Sequence, residues 1–127
     1  MKDPWSNFRR DSNLDIVDLG RPAVFLLPFG KARSCMIGKL TVSADICQFL
    51  LDKFGAFTVT ELPYVGLWRN NEKDLICDRC LKYEVSFVGP ERIPVLMERL
   101  ARIAGHIGED CIYFKAGEDT CLIMAKK

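Results

Sequence analysis

The apolar run AVFLLPF over residues 23–29 constrains this chain more than any other segment. It is far shorter than the ~20 residues a membrane span requires. In an extended pleat it puts apolar side chains on both sides, as a central strand buried on two faces does. Such a strand needs a neighbour at each edge and a cover on each face, and the remaining residues must supply them.

Two helices follow from the 3.6-residue spacing of apolar side chains. The first is capped by Thr41 or Ser43, carries Ile46, Phe49, Leu50 and Phe54 on one stripe, and stops at Gly55. The second starts near Ile93, with Pro94 at its first position, and runs through Leu96, Met97, Leu100 and Ile103 to a stop at Gly105. Between them, residues 57–61 alternate, Pro63 interrupts, and residues 64–68 resume out of phase, the pattern of an edge strand with a bulge. Leu81, Tyr83, Val85 and Phe87 then face one way, while Lys82, Glu84 and Ser86 face the other. Residues 111–115 and 120–125 form a closing hairpin, and residues 30–40 read as a loop. The order βαββαββ predicts an α+β protein with a ferredoxin-like βαββαβ core and an extra C-terminal hairpin strand.

Two helices cover one face of such a sheet. The first strand and residues 120–125 are apolar on both faces, so homodimerisation through the second face is expected. The alternative cover is residues 1–22, a polar N-terminal arm preceding the single α+β domain of residues 23–127. With 18 Lys and Arg against 17 Asp and Glu, the net charge of +1 gives no field for attracting nucleic acid or an anionic membrane. The opening residues contain no apolar targeting segment, so a cytoplasmic address is expected and the six cysteines read as reduced thiols.

Phe29-Gly30, Val42-Ser43 opening a helix, Phe49, Phe54, Thr58-Val59 and Gly66-Leu67-Trp68-Arg69 before an apolar strand resemble a family of small uncharacterised bacterial proteins. The resemblance spans residues 23–88. It implies a ferredoxin-like α+β fold and no particular activity, because the family's own function is unknown.

Three residue groups point to chemistry. Lys31, Arg33 and Lys39 lie in an acid-free stretch leading into a helix N-terminus, a setting that favours phosphate or carboxylate. Trp68 and Arg69, with Tyr64 and Tyr83 on neighbouring strands, suit an aromatic wall with a cationic handle for a planar or acidic ligand; packing and local ion pairing are the competing use. Cys77 and Cys80 have the spacing of a zinc or redox pair, but no second such pair follows, and a strand pattern replaces the helix that redox chemistry needs. His106, next to a helix end, and Cys111 do not make a triad from spacing alone. No catalytic residue is identified and no cofactor is expected. The expectation is a homodimeric binding or assembly module for a small anionic or planar ligand. The alternatives are a cofactor-independent enzyme of the dimeric α+β-barrel kind, and a zinc-binding protein through Cys77 and Cys80.

Overall fold

The structure is a computed structural model that describes residues 3–10, 13–69 and 72–126, with the side chains of residues 10, 62–64, 77 and 78 outside the description. A short helix α1 (Ser6–Arg10) precedes β1 (Arg21–Pro28), α2 (Phe29–Ser34), β2 (Met36–Ile37), β3 (Leu40–Thr41) and α3 (Val42–Phe54). Then come β4 (Thr58–Arg69), β5 (Leu75–Phe87), α4 (Arg92–Ile107), β6 (Cys111–Ala116) and β7 (Asp119–Met124). Five strands form one antiparallel sheet in the order β4-β5-β1-β6-β7, and β2 and β3 form a separate two-stranded ribbon. The protein is therefore α+β, with a strongly curled sheet.

The central position expected of the apolar run is observed. Phe25 pairs with Tyr83 of β5 on one edge and with Phe114 of β6 on the other. Ala23, Phe25 and Leu27 point to the helices and are fully buried. They meet Leu81, Tyr83, Val85 and Phe87 of β5, Ile112 and Phe114 of β6, Ile46, Phe49 and Leu50 of α3, and Leu96, Leu100 and Ile103 of α4. Burying each of the larger side chains contributes about 1.5–3 kcal/mol, so this layer dominates the stability of the fold.

Local signals decide the helix ends. The Thr41 hydroxyl accepts a hydrogen bond from the Ala44 N–H at 3.1 Å and caps α3, and Gly55 closes it in the left-handed region at φ 81°. Two expectations need correction. Residues 30–40 are not a loop: they fold as α2 and the β2–β3 ribbon. Helix α4 passes through Gly105 and ends at Gly108, φ 73°. Gly105 serves packing instead, because a Cβ there would stand 2.1 Å from the Lys126 carbonyl oxygen. The Lys126 N–H donates to the Ala101 carbonyl at 2.9 Å, holding residues 125–126 along the helix.

The N-terminal arm bonds mostly to itself: Trp5 Nε1 donates to Asp18 and Arg9 to the Ile16 carbonyl. Its Phe8, Leu14, Val17 and Leu19 are exposed, so as described it does not cover the second sheet face. No described helix is long and apolar enough to cross a membrane.

Candidate functional site

An apolar site lies beside the end of β4 that follows its bulge. The β4–β5 register breaks between Thr60 and Tyr64, as Pro63 forecast, and a bulged strand bends and twists more than a regular one. Pairing of β1 with β5 ends at Pro28 opposite Cys80, whereas β4 and β5 continue paired to Arg69 opposite Leu75. The end of this hairpin thus extends past β1 and borders the sheet face that the helices leave open.

A cavity of about 400 Å³ lies there, between Gly66, Leu67, Trp68 and Arg69 on the hairpin and Leu26, Pro28, Cys80, Tyr113 and Leu122 on the sheet. Glu109 and Cys111 close its lower edge. Trp68 and Tyr113 are 43% and 38% exposed, so both rings present surface to a ligand. Arg69 is held by its own turn, Nη1 donating to the Lys73 carbonyl at 3.1 Å, with Lys73 in the left-handed region at φ 66°. Glu109 accepts from Lys31 Nζ at 2.5 Å. The Cys111 thiol is pushed above its ordinary pKa, first by burial and then by the Asp110 and Glu109 carboxylates, so it stays a neutral thiol at physiological pH. The arrangement offers two ring surfaces, an aliphatic floor and one charge of each sign. That suits a small ring-bearing ligand better than a bare anion.

The sequence candidates divide among several places. Trp68 and Arg69 line this cavity, and Lys31 reaches its edge through Glu109. The Arg33 guanidinium lies 5.4 Å from the Phe29 ring centroid, and Lys39 is exposed on the turn of the β2–β3 ribbon, so the three cations do not converge. Tyr83 is on the helix-covered face, stacked on Phe25 with centroids 5.0 Å apart and rings 7° from parallel. It shares no wall with Trp68. Tyr64 pairs in register with Cys80, and its side chain lies outside the described residues, as does that of Cys77. Positions 77 and 80 both lie on β5. Among the described residues no three His, Cys, Asp or Glu side chains gather as a metal site. His106 Nε2 hydrogen-bonds the Met36 carbonyl at 2.6 Å and borders a different cavity from Cys111.

Sequence reasoning missed Glu109 and Tyr113. Tyr113 was within reach, because Ile112 and Phe114 turn inward and the position between them must face the open side. Glu109 has no such signal, since its contact with Lys31 depends on tertiary folding.

No family model matches the chain, and none of the curated proteins matches it. Two solved structures resemble its fold. A phage SAM lyase in complex with S-methyl-5'-thioadenosine superposes with a TM-score of 0.53 at 10% identity, covering 91% of this chain and 97% of the other. A phage SAM lyase in the apo state gives a TM-score of 0.57 at 9% identity, covering 91% and 98%. At such identity the likeness concerns the fold alone.

Proposed function

We propose that this protein is a homo-oligomeric module that binds a small, planar, ring-bearing ligand in the cavity beside the β4–β5 hairpin end. The observation that carries this reading is the pairing of two partly exposed rings, Trp68 and Tyr113, with Arg69 and Glu109 around one apolar cavity. Stacking and apolar burial would supply affinity, and the two charges orientation. The core is read here as ferredoxin-like, in keeping with the strand order β4-β5-β1-β6 and the crossovers through α3 and α4; β7 is then the added strand. A second copy is the cover proposed for the open face, where Leu122 and Met124 remain exposed.

The fold likeness to a phage SAM lyase, one structure of which holds S-methyl-5'-thioadenosine, supports a nucleoside-type compound as the first ligand to try. It also favours a second reading, a small enzyme acting on such a compound, by fold analogy. Thermal shift and calorimetric titration with S-methyl-5'-thioadenosine and SAM test the binding reading. Stabilisation is expected, with loss in Trp68→Ala; absence of binding by either compound, or equal binding by the variant, overturns the nucleoside assignment. Disappearance of SAM on incubation with the protein would favour the enzyme over the module.

A further inference from the structure

A second cavity, of about 390 Å³, opens on the other side of the sheet, between the start of α3 and β4. Its walls carry opposite charges: Arg33 on α2 and Glu61 on β4 both line it. Among the described residues neither has an ion-pair partner. They also do not pair with each other, although they border the same space. Ser43 and Cys47, one turn apart on α3, also line it, and the half-buried Val59 adds apolar surface.

The polar groups beneath are fixed from inside the core. Among the described residues Tyr83 is the largest fully buried side chain; it stacks on Phe25, and its hydroxyl lies 3.2 Å from Ser43 Oγ. Cys47 lies one turn further along α3 and lines the same cavity. Burial, the largest cause, raises the pKa of both the Tyr83 hydroxyl and the Cys47 thiol, so both remain neutral hydrogen-bonding groups at physiological pH. A neutral thiol is a weak nucleophile, which favours reversible binding here over a covalent adduct.

We propose that this cavity binds a free α-amino acid with an apolar side chain, its carboxylate toward Arg33 and Ser43, its ammonium toward Glu61, and its side chain against Val59. A cation and an anion lining one cavity match a zwitterion, whereas a ligand of single charge would leave one of them unmatched. The site is independent of the Trp68 cavity, and neither proposal requires the other.

The test is amide chemical-shift mapping of the full chain titrated with L-alanine, L-valine and L-leucine, alongside N-acetyl-L-leucine and L-leucinamide, each of which lacks one charge. At least one free amino acid is expected to move the resonances of residues 41–47 and 59–61. Each one-charge analogue, and each of Arg33→Gln and Glu61→Gln, should weaken binding at least about tenfold, the change expected on losing one charge-assisted contact. Trp68→Ala should leave binding unchanged. No response to any of the three amino acids at millimolar concentration, or equal binding by the analogues or by the charge variants, overturns the proposal.

Discussion

The two faces of the sheet use similar residues to different ends. Toward the helices, Phe25, Leu27, Tyr83 and Phe114 are sealed in one core with residues of α3 and α4. On the opposite face, Val24, Leu26 and Pro28 of the same strand are half-buried, and Leu122 on β7 is 59% exposed. The composition of β1 is nearly symmetric; its surroundings are not. Apolar character in a strand thus measures how much cover the strand can use, while the elements that reach it decide whether that cover comes from its own chain.

The largest expected effect that sharpens this contrast is in the sealed layer. Phe25→Ala removes a ring stacked on Tyr83 and should cost about 3–5 kcal/mol, read as a lowered midpoint in urea unfolding. Gly105→Ala comes next. Its new methyl group meets the Lys126 carbonyl, and overpacking of this kind costs about 1–3 kcal/mol, unless the end of β7 shifts, which amide exchange at Lys126 would reveal.

Alkaline pH should weaken the fold as a whole. Cys47, Tyr83 and Cys111 all have pKa values raised by folding, so their contribution is complete below the ordinary cysteine range and is lost as pH climbs through the folded values. Unfolding midpoints should therefore fall from roughly pH 9 upward, and less steeply in Cys47→Ala. A flat profile would break the argument.

The smallest effect on folding belongs to the open face. Leu122→Lys should alter stability by less than about 0.5 kcal/mol, as for most exposed substitutions. Native mass spectrometry should nevertheless show it shifting the protein from oligomer to single chain. A wild-type spectrum showing a single chain only would remove the second copy as the cover of that face.

Much of this architecture was legible because its causes are local. The Thr41 cap, the Gly55 stop, the Pro63 bulge and the alternation through Leu81 to Phe87 are each written within a few residues. What escaped was set by contacts distant in sequence. Residues 29–34 are too short for periodicity to announce a helix, and α2 is fixed by packing Ala32 into the core. Gly105 reads as a helix stop until the Lys126 carbonyl is placed against it. At the site, Trp68 and Arg69 could be singled out from residue type and strand position. Tyr83 was grouped with them although its own alternation sends it to the other face, where its hydroxyl meets Ser43.

The position of β1 also bears on how the chain reaches this state. Neither partner is close in sequence: Arg21 pairs with Phe87, and Ala23 with Ala116. Contact order of this kind slows folding, because chain entropy is surrendered before the pairing returns it. Until β5 and β6 arrive, the apolar first strand has two bare edges, each able to pair with the wrong chain. Helices α3 and α4 need fewer distant contacts, since the Thr41 cap and the Gly55 and Gly108 stops are local. Their early collapse onto residues 23–28 would shelter the segment most prone to aggregate during the slowest step.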